Sequence, residues 1–152
     1  LIMKLDNEEL MYDYFKKIFI KIIMKGGNKS TAEGIFEEAF IHLRKKLLQE
    51  NSSQNPKELF VEVLSKSGPL AIVVTKRRGR KSIQVPMALE GKRRVAITSK
   101  WILEGARARN DKTMGLRLAK EFYSLSTGQG KAIKNQTLMH KQAYVNRFNT
   151  NF

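Results

Sequence analysis

Apolar residues recur in pairs four apart along residues 8–25: Leu10 and Met11, Tyr14 and Phe15, Ile18 and Phe19, Ile22 and Ile23. That step is the helical period, so a first amphipathic helix is expected there. Asp6 followed by Glu9 outlines a capping box at its start, and Gly26 with Gly27 stops it. A stronger box, Ser-Thr-Ala-Glu at 30–33, places Ser30 to accept from the backbone N–H of Glu33. Ala32, Ile35, Phe36, Ala39, Leu43 and Leu47 then give a second helical stripe. Residues 49–55 are polar and read as a loop. Pro56 suits the first turn of a third helix carrying Leu59, Phe60, Val63 and Leu64, which Gly68 and Pro69 end.

The period then changes. Leu70 to Val74 is an unbroken β-prone run, and Ile83, Val85 and Pro86 form a second one. Between them lie Lys76, Arg77, Arg78, Gly79, Arg80 and Lys81. Two strands of about 70–89, joined by a cationic tip in which Gly79 permits a tight turn, predict a β-hairpin. A fourth helix over 91–109 puts Val95, Ile102, Leu103 and Ala106 on one face. Arg93, Lys100 and Arg107, seven apart, share another. Asn110 and Asp111 break and cap before a fifth helix marked by Met114, Leu118, Phe122 and Leu125. A loop at 126–131 leads to a last helix from about Ala132 to Phe148, with Leu138, Val145 and Phe148 among its apolar residues. The expected fold is mainly α: a six-helix domain with a protruding basic β-hairpin between the third and fourth helices. No internal repeat or linker divides residues 1–152, so one domain is expected.

Charge adds the direction of function. The net charge is +15, and it is lopsided: residues 1–75 hold 11 cations against 10 anions, residues 76–152 hold 18 against 4. A near-neutral half joined to a strongly basic one points to a polyanion-facing surface, nucleic acid ahead of membrane. With 41% hydrophobic residues the chain can bury a core. It has no cysteine, which excludes disulfides and thiolate metal sites. No apolar run approaches the roughly 20 residues that span a bilayer. No secretory signal is read, and a start at Leu1 is compatible with a processed leader.

Catalysis is not expected. Only Glu90, Glu104, Asp111 and Glu121 supply carboxylates in the basic half. His42 and His140 lie far apart without a ligand partner at helical spacing. Residues 26–31, GGNKST, lack the spacing of a phosphate-binding loop and follow a helix, so they read as a turn that leaves Lys29 free to meet a phosphate. No cofactor or metal is implied. Residues 76–81 read either as cations laid along nucleic-acid phosphates, or as a solvated loop or nuclear localisation signal. Lys92, Arg93 and Arg94 follow directly, which favours one ligand for both clusters. Trp101 reads as core packing or as a stacking surface.

GGNKSTAEGI (26–35), IQVPMALEGKRRVAITSKWILEGARAR (83–109), DKTMGLRLAKE (111–121) and GKAIKN (130–135) resemble the small-subunit ribosomal protein seven family, bacterial and organellar branch. The similarity spans about residues 8–148. The resemblance implies a structural constituent of the small ribosomal subunit that binds the 3′ major domain of its RNA and nucleates head assembly. It places the hairpin near the exit-site transfer RNA and the messenger RNA path, and neighbouring head and platform proteins as partners. RNA-contacting positions carry over to Lys29, to the hairpin's Lys76, Arg77, Arg78, Arg80 and Lys81, and to Lys92, Arg93, Arg94, Lys100, Trp101, Arg107 and Arg109. Lys112, Arg117, Lys131 and Lys134 complete the set.

Two departures stand out. Residues 1–10 hold only Lys4 and several acids where the family opens with a basic arm. The hairpin tip is more basic than the family's and lacks its aromatic, which favours phosphate contact over base stacking. Lysine over arginine, with abundant Ile, Asn and Phe, leans toward an organelle, mitochondrion first, with a plastid or the bacterial cytoplasm as alternatives. An architectural DNA-binding protein using a basic β-arm is the rival reading, although such arms often carry an apolar wedge at the tip. An RNA-acting enzyme lacks the cluster of groups to carry it.

Overall fold

A computed structural model describes the backbone of residues 2–151 and the side chains of residues 9–151. Among these residues the order is α1 (Ile2–Ile23), α2 (Lys29–Gln49), α3 (Pro56–Lys66), β1 (Ala71–Arg78), β2 (Lys81–Ala88), α4 (Gly91–Arg107), α5 (Met114–Ser126) and α6 (Lys131–Val145). A short 3-10 helix, Arg147–Asn151, follows. Six helices with a two-stranded hairpin between the third and fourth match the arrangement expected from the periodicity.

The core is built on phenylalanine. Phe19 of α1, Phe36 of α2, Phe60 of α3 and Phe122 of α5 are all buried. Phe60 is the hub: its ring centroid lies 5.7 Å from Phe19, 5.3 Å from Phe36 and 5.5 Å from Phe122, in each case edge to face. That geometry sets the positive ring edge against the negative face. The aliphatic stripe of α4 (Val95, Ile102, Leu103, Ala106) extends the same core, and α4 packs against α1, α5 and α6.

The hairpin leaves this core at one end. Its strands pair antiparallel from Ala71–Ala88 to Arg78–Lys81. Val85 and Leu89 are buried at the base, and every residue from Thr75 to Ser82 is exposed. Two strands alone are marginal in water, and several contacts clamp the base. The Leu89 N–H donates to Leu70 O at 2.9 Å. The Leu70 N–H donates to Nε2 of His140 at 2.9 Å, and Asn149 Nδ2 donates to Gln84 O at 3.0 Å. At the tip Gly79 takes φ 62 while Arg80 stays out of the left-handed region. That is the pattern of a type II′ turn, which asks for glycine at its first central position.

Four boundaries differ from expectation. α1 starts at Ile2, well before the expected cap; the side chain of Asp6 lies outside the described residues. α2 starts ahead of the Ser-Thr-Ala-Glu box: its N-cap is Asn28, without a side-chain capping bond. Gly26 and Gly27, at φ 59 and 79, turn the chain early, and Asn28 O already accepts from the Ala32 N–H at 3.3 Å. Ser30 thus sits inside the first turn, and Glu33 instead faces Lys29 at 3.5 Å. α5 is capped by Thr113, whose hydroxyl accepts from the Leu116 N–H at 3.3 Å, and not by Asp111. α6 stops at Val145. Ala132 is its one buried residue, and Leu138, Val145 and Phe148 are exposed instead of packed.

Candidate nucleic-acid interface

Alternation along the strands decides how the hairpin presents its charge. Side chains two apart share a face, so Lys76 and Arg78 lie on one side of the ribbon and Arg77 on the other. Opposite them stand Ile83, Lys81 and Ser82 respectively. Cations therefore project from both faces of an exposed arm. Lys76, Arg77, Arg78 and Ile83 also line a cavity of about 300 Å³ together with Asn151 of the 3-10 helix.

The second surface is the outer face of α4. Burial of Val95, Ile102 and Ala106 fixes the rotation of the helix, which turns Lys92, Arg93, Lys100 and Arg107 to solvent. Among the described residues these four make no ion pair. Lys112, in the turn after α4, is exposed as well, and so is Lys134 on α6. Trp101 is half-buried and packs against the core.

Other residues expected at an RNA surface are engaged within the protein. Arg94 is next to Arg93 in sequence but faces inward, and its Nη2 donates to Ser65 O at 2.7 Å and Gly68 O at 3.3 Å. It ties the end of α3 to α4 beneath the hairpin. Its Nε is buried without a partner among the described residues. Arg109 donates from Nε to Glu121 Oε2 at 2.9 Å and from Nη2 to Ser124 Oγ at 2.8 Å. Arg117 donates from Nε to Asp111 O at 2.7 Å. These three are built into turns and helix ends. Lys29 and Lys131 stay at the surface but face Glu33 at 3.5 Å and Glu104 at 3.2 Å.

The structure also assembles cations that sequence reasoning passed over. Lys16, Lys17 and Lys21 of α1 line a groove of about 530 Å³ with Lys29, over Ile20 and Met24, with Asp13 and Glu33 in its walls. The signal was present: Lys17, Lys21 and Lys25 are four apart, a charged stripe beside the apolar one. The balanced charge of the first half concealed it, although only Asp13 and Glu33 of that half's ten acids line the groove.

Among the described residues no group of histidine, aspartate and glutamate could hold a metal ion, and no helix is long and apolar enough to cross a membrane. What the geometry offers is cations at fixed positions, on a projecting ribbon and on a helix face packed to the core. Such an arrangement neutralises phosphates.

Comparison with known proteins agrees with the resemblance in the sequence. The family described as "Ribosomal protein S7p/S5e" matches residues 5–147. "Small ribosomal subunit protein uS7" of Variovorax paradoxus is 36% identical over 134 residues, covering 88% of this chain and 83% of its own. The protein of the same name from Nitrosomonas europaea is 36% identical over the same span and coverage. That of Blochmanniella floridana is 38% identical over 129 residues, 85% of this chain and 80% of its own. These relatives are bacterial. The chain belongs to the ribosomal protein S7p/S5e family, whose members are structural proteins of the ribosome and not enzymes.

Proposed function

We propose that the whole chain acts as one RNA-binding domain of the small ribosomal subunit. It binds the 3′ major domain of small-subunit ribosomal RNA, nucleates assembly of the head, and lays its hairpin near the exit-site transfer RNA and the messenger RNA path. The observation that carries this reading is the pairing of two cationic surfaces of different rigidity. Lys92, Arg93, Lys100 and Arg107 stand in register on a core-packed helix, and Lys76 to Lys81 stand on an exposed ribbon. Folded RNA is recognised largely through phosphate, 2′-OH and shape, which suits scattered cations in fixed positions better than a single reading motif. The relatives' name supports the place in the small subunit.

Neighbouring head and platform proteins are the expected protein partners. The 19 lysines against 10 arginines support an organellar, mitochondrial ribosome; the bacterial relatives fit the alternative of a bacterial cytoplasm equally well.

Two measurements test the proposal. The protein should co-sediment with small ribosomal subunits. Its affinity for a folded fragment of the 3′ major domain should fall by orders of magnitude from low to moderate salt, as release of about six to ten counterions requires. Equal competition by duplex DNA would favour the architectural DNA-binding reading. The Gly79–Arg80 tip carries no apolar wedge for it.

A further inference from the structure

The end of the chain is unusually exposed for its composition. Tyr144 is 65% exposed, and Phe148 is 76% exposed, more than any other large apolar side chain among the described residues. The guanidinium of Arg147 lies over both rings, 4.2 Å from the Tyr144 centroid and 4.5 Å from that of Phe148. Arg147 Nη1 also donates to Tyr144 O at 3.2 Å, which holds the arginine in place. This segment is tied to the hairpin. Asn146 Nδ2 donates to Gln84 Oε1 at 3.3 Å, Asn149 Nδ2 donates to Gln84 O at 3.0 Å, and Asn151 shares a cavity with Lys76, Arg77 and Arg78.

We propose that Tyr144, Arg147 and Phe148 form a stacking platform for single-stranded RNA, continuous with the cations of the hairpin. Unpaired bases need π-faces and their phosphates need cations, and sequence-tolerant single-strand binding combines the two. The hairpin tip has the cations and no aromatic; the C-terminal turn has the rings and is hydrogen-bonded to the hairpin. Charge decides the occupant. An apolar protein surface seated here would desolvate Arg147 beside three further cations, whereas a polyanionic strand is complementary to all of them. The proposal rests on the RNA-binding reading above and deepens it, naming the residues that hold an unpaired strand beside the hairpin.

The test is fluorescence anisotropy with two probes at one salt concentration: a labelled oligouridylate of about ten nucleotides, and a folded fragment of the 3′ major domain. Tyr144→Ala with Phe148→Ala should weaken oligouridylate binding about tenfold or more. Affinity for the folded fragment, the salt slope and the thermal midpoint should stay as in the wild type, since no charge or buried group is removed. Phe148→Leu keeps apolar area without a ring and should lose affinity as alanine does; Phe148→Trp should retain or strengthen it. Unchanged oligouridylate binding by the double alanine variant overturns the platform. Wild-type binding by Phe148→Leu overturns it too and marks an apolar docking face instead. A wild-type protein that binds the folded fragment and not the oligonucleotide sinks the platform alone; one that fails to bind the folded fragment sinks the RNA-binding reading itself.

Discussion

Glu121 holds Arg109 and the start of α6 at once. Its Oε2 accepts from Arg109 Nε at 2.9 Å and stands 2.8 Å from Nη2, while Oε1 accepts from the Lys131 N–H at 3.3 Å. The carboxylate is buried and the guanidinium is largely covered. A carboxylate on α5 therefore answers one of the orphan N–H groups of α6, whose N-cap residue Gly130 has no side chain to do so. Gly105 leaves room for it, since a Cβ there would collide with the carboxylate.

Glu121→Ala should lower stability by about 3 kcal/mol, because it strands a mostly buried charge and an uncapped N–H together. Gly105→Ala should act in the same direction by pushing the carboxylate off its partners. Urea denaturation measures both. A Glu121→Ala protein with an unchanged midpoint would show that the pair contributes nothing to the fold.

Arg93 and Arg94 should separate cleanly. Arg94→Ala removes charge-assisted bonds to Ser65 O and Gly68 O and should cost about 2 kcal/mol of stability. Arg93→Ala, at an exposed position, should leave the melting temperature in place. In RNA titrations Arg93→Ala should weaken binding and lower the salt slope by about one. If Arg94→Ala melts like the wild type and changes only the slope, Arg94 belongs with the RNA-facing set.

Caps give a test on the fold alone. Asn55 caps α3 by accepting from the Lys57 N–H at 3.1 Å, and Thr113 caps α5. Either residue changed to alanine should cost about 1 kcal/mol. Ser30→Ala should be close to neutral, because Asn28 and not Ser30 stands at the N-cap. A destabilisation at Ser30 equal to that at Asn55 would restore the capping-box reading.

That contrast shows what was legible in the sequence. Element type followed from period: a step of four in α1 and α2, an unbroken β-prone run flanking a Gly-containing cationic tip, and Pro56 at the start of α3. Ends depended on backbone angles that no single residue announces. The left-handed Gly26 and Gly27 started α2 before its best capping motif, and Thr113 displaced Asp111. The expected end of α6 ran past Val145 because Phe148 is apolar, yet Leu138 and Phe148 are exposed and mark no packed face. At the interface, residue type marked the candidates of the hairpin and α4 but not their direction, and the lysines of α1 were passed over. Arg93 and Arg94 are identical in kind, and only the rotation of α4 turns one out and the other in.

Tyr12 supplies a pH dependence. Its half-buried ring meets Phe40 and Phe60 edge-on, each at 5.9 Å. Burial first, then the charges of Asp13 and Glu37, raise its phenol above the ordinary value near 10. A raised folded value means the contribution is complete below about pH 10 and is lost as pH rises through the folded value. Tyr12→Phe has no phenol to ionise, so its stability should fall less steeply than the wild type's from about pH 10 upward. Identical alkaline profiles for the two proteins would remove Tyr12 as the cause.

The last prediction separates anchoring from guiding. The α4 cations are held in register by a buried stripe, so an RNA that fits them is bound without reordering the protein. The hairpin tip lies beyond the last buried side chain of its strands, Val85 and Leu89 being the anchors at the base. A two-stranded arm of this kind gains order from the surface it lies on. Arg93→Ala with Lys100→Ala and Arg107→Ala should therefore impair binding to the 3′ major domain and incorporation into the subunit. Arg77→Ala with Arg78→Ala and Arg80→Ala should leave the helical core folded and permit incorporation, while disturbing retention of exit-site transfer RNA. Reconstituting subunits with each variant, then measuring incorporation and transfer RNA release separately, distinguishes the two. A hairpin variant that fails to incorporate beside an α4 variant that assembles normally would reverse the assignment.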